Sequence, residues 1–405
     1  MESPAAGELA EPIYKMEADE ESLLRSRAQI AQRLAEIVSW PATRISPHER
    51  QLAGDILIAL LRTASHDLRA RCAQRLATVV DAPKVVLRYL SRDEIDIARP
   101  LLEASPALDD TDLIATIRAS GPAHWAVIAQ RRNLTETVTD ALVQTGDPAI
   151  VETLLHNSFS RLSSFGVDGV VFMARQHRGL AKALLMREEI KPAQGLTLFW
   201  WADADTRVHI LRRFAVDRSV LLQEVSDLFV QAAQENWTDG PTRQALQFIE
   251  RRQRNRIAAQ KSAHQSLENA IIALVESGAT REIILDITAM CGVKPVPGAR
   301  ILSDPGGEPI AILAKAVGLK RDMLITLWRG LRRPQDTSDP KSTLSRTLFV
   351  FDTLATAKAQ TVLRYWNWSL ASDAPTGVGQ MDPFDQAMEF TPARKVASLV
   401  LSWKP

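Results

Sequence analysis

The feature that most limits what this chain can fold into is a spacing. Asp81, Asp109, Thr135, Ser163, Lys191 and Asp217 follow one another at 28, 26, 28, 28 and 26 residues. Asp, Thr and Ser side chains accept hydrogen bonds from the free N–H groups of a first helical turn, and Lys191 precedes Pro192, which suits the first helical position. Eight residues after these marks stand Tyr89, Ile117, Val143, Val171, Phe199 and Val225, and about seven before them stand Leu76, Leu102, Ile128, Leu155, Leu184 and Leu211. A period near 27 accommodates two short helices and two tight turns, and neither helix can bury its apolar stripe without a neighbouring unit. Strand-like alternation of Val, Ile and Thr is nearly absent. The spacing predicts an all-α chain built as a right-handed solenoid, with units at 67–93, 94–120, 121–146, 147–174, 175–203 and 204–231.

Around this array the composition changes. Residues 1–21 are rich in Glu, Ala and Pro and read as a disordered acidic leader. Two amphipathic helices follow, the second opened by the capping-box pattern Ser46-Pro47-His48-Glu49. Together with the repeats they make a segment from 22 to 235. The repeat stops near Asn236, and 236–333 reads as a helical cap whose first long helix runs to Gly278. Residues 334–345 are polar and read as a linker, 346–370 as one amphipathic helix, and 371–405 as an irregular tail.

Several stretches carry a resemblance. Asp93-Glu94-Ile95-Asp96-Ile97-Ala98-Arg99-Pro100-Leu101-Leu102, then Ser105-Pro106-Ala107-Leu108 and 110–113, resemble HEAT-like repeats of an uncharacterised bacterial domain-of-unknown-function family. Leu134-Thr135-Glu136-Thr137-Val138-Thr139-Asp140-Ala141-Leu142 and Leu198-Phe199-Trp200-Trp201 fit the same pattern. The likeness extends over roughly 50–335. It implies two-helix HEAT-like repeats and carries over no catalytic residue.

Composition narrows the chemistry. The 405 residues hold 49 basic and 48 acidic side chains, a net charge of +1, which does not fit a protein that coats polyanions. No apolar run of membrane-spanning length occurs, and Met1-Glu2-Ser3-Pro4 lacks the layout of a signal peptide, so a cytoplasmic location without membrane insertion is expected. Cys72 and Cys291 have no CxxC partner and read as small buried hydrophobes. The seven histidines occupy different repeat offsets, so no metal site is expected, and no nucleotide-cradling or hydrolase motif is present. Gly306-Gly307 lacks the Lys and Ser/Thr of a phosphate loop and reads as a turn.

Three functional readings remain. The first is a non-enzymatic, cofactor-free scaffold for protein partners, with Tyr365, Trp366 and Trp368 as accessory contacts. The second is a nucleic-acid-binding, DNA-glycosylase-like helical repeat. There Arg131, Arg132, Arg187, Arg212 and Arg213, all shortly before repeat marks, would form a basic edge, with Trp125, Trp200, Trp201, Asp203 and Asp205 imitating a base-binding set. Against that edge stands the plain role of cations at helix C-termini. The third is phosphotransfer: Ser65-His66-Asp67-Leu68-Arg69 resembles the phospho-accepting box of two-component histidine kinases, although Ala70 stands where that box has proline. Oligomeric state and partner identity are not encoded in any pattern of this kind.

Overall fold

The computed structural model describes residues 11–229 and 240–370. Among them about 70 % of the chain is helical and no strand occurs. Contacts divide the chain into two compact units, Met1–Gly166 and Val167–Pro405.

In the N-terminal unit the helices are α1 (Glu11–Val38), α2 (Pro47–Leu61), α3 (His66–Leu76), α4 (Lys84–Leu90), α5 (Ile95–Ala104), α6 (Asp110–Ala119), α7 (Pro122–Ala129), α8 (Glu136–Gln144) and α9 (Pro148–His156). α1 begins inside the stretch expected as a leader, so Glu11 to residue 21 is helical; residues 1–10 lie outside the described residues. α2 is closed at its start by the Ser46/Glu49 capping box that its sequence advertises. Helices two places apart are neighbours: α1, α3, α5, α7 and α9 form one row, while α2 packs on α4 and α6 on α8. Each of α3 to α9 is only two or three turns long, too short to be stable alone. Burial of the recurring column Leu76, Leu102, Ile128 and Leu155, each no more than 4 % exposed, supplies what the helices lack.

Polar side chains tie one second helix to the next. Arg88 Nε donates to Asp112 at 2.5 Å, Lys84 pairs with Asp109, Thr135 Oγ1 donates to Asp110 at 2.7 Å, and Ser163 Oγ donates to Asp140 at 2.7 Å. The hydrogen bond from Lys84, with others from Thr111 and the Asp112 amide, holds the Asp109 carboxyl far below the usual carboxylate range. The helix-entry marks land well. Asp109, Thr135, Lys191 and Asp217 are N-caps, and Ser163 accepts from the Gly166 amide one turn on. Asp81 is the exception, because the cap of α4 is Pro83, two residues later. Tyr89, eight residues after Asp81, is accordingly only half-buried, whereas Ser91, eight after Pro83, is fully buried.

The C-terminal unit contains most of α10 (Ser164–Met173), then α11 (Arg178–Leu185), α12 (Pro192–Leu198), a 3₁₀ turn Phe199–Trp201, α13 (Ala204–Phe214), α14 (Arg218–Val225), α15 (Gly240–Lys261) and α16 (Leu267–Ser277). It ends with α17 (Arg281–Met290), α18 (Pro295–Ser303), α19 (Glu308–Val317), α20 (Arg321–Gly330), α21 (Thr343–Thr353) and α22 (Thr356–Ser369). Two expected single helices are each divided. The cap helix breaks between α15 and α16, and the 346–370 helix breaks at Leu354–Ala355. Residues 371–405, expected as an irregular tail, lie outside the described residues. α19 is buried all round against α18, α20, α21 and α22. The cluster of Phe199, Trp200 and Trp366, with ring centroids 4.7–5.7 Å apart, joins α22 to the 3₁₀ turn.

A buried ion cluster fixes this unit. Arg207 on α13 grips Asp304 through two bonds of 2.8 and 2.9 Å and reaches Glu308 Oε2 at 3.1 Å. Glu308, fully buried, also pairs with Arg346 at 3.5 Å. Asp304 Oδ1 accepts further from the Gly306 and Gly307 amides at 2.9 and 3.2 Å. Burial alone would lower Arg207 and raise Asp304; their mutual attraction outweighs it, so the guanidinium is held above and the carboxyl below the ordinary value. Gly307 opens α19 at φ +85°, and a Cβ there would run into the Trp328 ring.

Replacing Asp304 by Asn should destabilise the C-terminal unit by about 3 kcal/mol at pH 7, read from urea unfolding, since it removes one carboxylate from a buried guanidinium. Because the folded Asp304 pKa lies below the unfolded one, its contribution is complete above the unfolded value and disappears as pH falls through the folded value. The gap between wild type and Asp304→Asn should therefore narrow on acidification.

Candidate functional site

The arginines expected as a basic edge are largely committed within the protein. Arg131 donates to the carbonyls of Leu101 and Leu102 at 3.4 and 2.9 Å and to that of Ser105, the last carbonyls of α5. Arg213 treats the end of α11 alike, bonding the carbonyls of Leu185 and of Arg187, the latter at 2.7 Å. Each thus satisfies the end of the preceding first helix, where carbonyls lack helical partners. Arg187 is 8 % exposed and paired with Glu189 at 2.7 Å. Arg132 and Arg212 are exposed and stack over Phe159 and Phe349 at 5.2 and 5.8 Å.

The other candidates divide in the same way. Tyr365, Trp366 and Trp368 are no more than 4 % exposed, so they belong to the core and are not surface contacts. Trp366 donates to the Leu196 carbonyl, and Tyr365 shares a hydrogen bond with Thr197 at 2.7 Å. Burial pushes the Tyr365 hydroxyl up to about 12. The base-binding set is also used structurally: Trp125 Nε1 donates to the Ile117 carbonyl at 2.8 Å, Trp200 is 7 % exposed, and Asp203 caps α13 by accepting from Thr206. His66 occupies the first position of α3, with its side chain 45 % exposed. Its nearest charged groups are Asp67 at 3.9 Å and Glu94 at 3.8 Å, carboxylates that would repel a phosphoryl group, while Arg69 is held by Asp93 at 2.7 Å. Cys72 and Cys291 are buried, and burial pushes their thiols up to about 11 and about 12. Among the described residues no three His, Cys, Asp or Glu side chains converge as metal ligands would.

What the N-terminal unit does bring together is a groove of about 710 Å³ beside α7 and α9, bordered by Gln130, Glu152, His156, Asn157 and Phe159. One residue builds it. The Asn157 amide donates at 2.8 Å to the carbonyls of Ala129 and Arg131, closing the C-terminus of α7. Its Oδ1 accepts the Phe159 N–H at 3.0 Å, so the turn that follows α9 has a fixed course. The Phe159 ring is left 55 % exposed, with the Arg132 guanidinium over it. An exposed aromatic ring on a rigid turn is a preformed anchor, because little conformational freedom remains to be lost on contact. Sequence reasoning found Arg132 but missed Asn157 and Phe159; the Asn-Ser-Phe turn directly after α9 was the available signal.

Replacement of Arg131 or Arg213 by Gln should lower stability by about 1–3 kcal/mol each, since buried carbonyls lose their donors. Arg132→Gln should stay within about 0.5 kcal/mol of wild type in the same urea titrations.

No curated protein and no solved structure matches this chain. The family described as an uncharacterised protein conserved in bacteria (DUF2336) matches residues 97–364, from within α5 to within α22, and so takes in the groove and the ion cluster. The chain belongs to that DUF2336 family.

Proposed function

We propose that this protein is a non-enzymatic scaffold that holds a protein partner, built as a right-handed solenoid of HEAT-like two-helix units and working in the cytoplasm. The observation that carries the reading is the anchored, solvent-facing Phe159 on the wall of the groove beside α7 and α9. Alternate helices in a row, closed by side chains from the next unit, support the solenoid. The groove offers an aromatic anchor, a cation over it, and Glu152 and His156 along one border, a mixture suited to an extended protein segment with an apolar side chain at its centre. No described helix is long and apolar enough to cross a membrane.

Nucleic-acid binding is the alternative, and it would have to rely on the exposed Arg132, Arg212 and Arg213, the last of which already donates to the carbonyls of Leu185 and Arg187. Phosphotransfer through His66 is the minor one. One retention experiment separates the first two. Purified full-length protein is exposed to native lysate at low and high salt, with and without nuclease, beside a Phe159→Ala variant. A partner that survives nuclease and salt, and whose affinity falls at least about ten-fold in Phe159→Ala, or ~1.4 kcal/mol, supports the scaffold. Retention of nucleic acid that collapses with salt and ignores Phe159 would replace it with the alternative.

A further inference from the structure

The long helix α15 presents a face that nothing described covers. Phe248 is 55 % exposed, Ile249 57 % and Ile257 43 %, an unusual concentration of large apolar side chains on one surface helix. Among them stand exposed Arg252, Arg256 and Lys261, with Arg252 over the Phe248 ring at 5.6 Å. Successive residues in a helix turn by 100°, so Phe248, Arg252, Arg256 and Ile249 fall within one third of the circumference, while Ile257 and Lys261 lie outside that arc. Arg254 points elsewhere and lines a cavity of about 80 Å³ with Gly292. The open face is therefore both apolar and cationic, and its complement is an acidic segment carrying large apolar side chains.

The chain itself contains such a segment. Between residues 371 and 393 the charged residues are Asp373, Asp382, Asp385 and Glu389, with no Lys or Arg, and Met381, Phe384, Met388 and Phe390 lie among the last three. Their point of departure is close to α15. Arg364 and Asn367 near the end of α22 line the same cavity as Glu250, Arg254 and Asn255 of α15, and the Glu250 charge acts on Arg364. Ten residues, 371–380, span up to about 33 Å. The 22 residues of α15 extend over a similar ~33 Å, so every part of the exposed face is within reach. A membrane surface fits less well, since Arg252 and Arg256 lie in the middle of the face where an interfacial helix would be apolar.

We propose that the exposed face of α15 carrying Phe248, Ile249, Arg252 and Arg256 is the docking surface for the acidic segment 381–390 of the same chain. Phe384 and Met388 supply the apolar contacts to Phe248 and Ile249, and Asp385 and Glu389 face Arg252 and Arg256. This inference does not depend on the groove beside α7 and α9.

Hydrogen exchange read by mass spectrometry on the purified full-length protein tests it. Amides of 381–390 should exchange at least about ten-fold more slowly than their intrinsic rate, at the same value over a wide range of protein concentration. Reversing the cations with Arg252→Glu and Arg256→Glu should abolish that protection while α19 and α22 keep theirs. Reversing the acids with Asp385→Lys and Glu389→Lys, outside α15, should have the same effect, and combining both pairs should restore protection. Intrinsic exchange of 381–390 in the wild type overturns the proposal, as does protection untouched by either reversal. Protection that grows with protein concentration would also overturn it by placing the contact between two copies.

Discussion

Glu308 has no contact with solvent and Asp304 almost none, and a carboxylate in that position is tolerable only opposite a cation that is equally withdrawn from water. Arg207 is that cation. It comes from α13, about one hundred residues earlier in the chain, and lies over the Phe199 ring at 4.8 Å while donating to the Phe199 carbonyl. The α18–α19 turn is consequently fixed against the 3₁₀ turn. α19 can then be buried along nearly its whole length, because its entry is held by charge and its flanks by α20, α21 and α22. Arg300 near the end of α18 lies over the Trp200 ring at 5.0 Å, and burial pushes its guanidinium down to about 10. The Phe199–Trp200–Trp366 cluster belongs to the same arrangement. Its rings pack where they do because the ion cluster and α22 bring their elements together.

The local parts of this fold were legible and the distant ones were not. Helix entries depend on side chains within three residues, so Asp109, Thr135, Lys191 and Asp217 could be identified as caps without any tertiary information. Asp81 misled because it is a good capping type close to a helix start; Pro83, with its fixed φ, takes the cap position instead. No local pattern announces that Arg207 will meet Asp304, and the Asp-Pro-Gly-Gly-Glu-Pro stretch reads simply as a turn. Tyr365, Trp366 and Trp368 looked like a sticky surface. Their spacing places them on different faces of α22, which in retrospect marks a helix buried all round.

The expected arginine edge is instructive because the residues were well chosen and their use was different. Arg131 and Arg213 do interact with helix C-termini, but with those of the preceding first helix, so each is an internal connector. Asn157 performs the same service with an amide and simultaneously sets the direction of Phe159. A stabilising contact and a solvent-facing anchor are thereby the same few atoms. The groove beside α7 and α9 is consequently held by the same hydrogen bonds as the junction beneath it.

The connector bonds have a common sequence separation: Arg131 to Ser105, Asn157 to Arg131 and Arg213 to Arg187 each span 26 residues. A chain organised in this way has a quantum of length. Removing or adding a whole unit would carry donor and acceptor along together, and the new neighbours could join. A single residue gained or lost within α13 ahead of Arg213 would instead swing that donor by about 100° and 1.5 Å along the helix, away from the carbonyls it closes. The 26-residue separation is therefore a length that these connectors enforce on the chain between each donor and its acceptor.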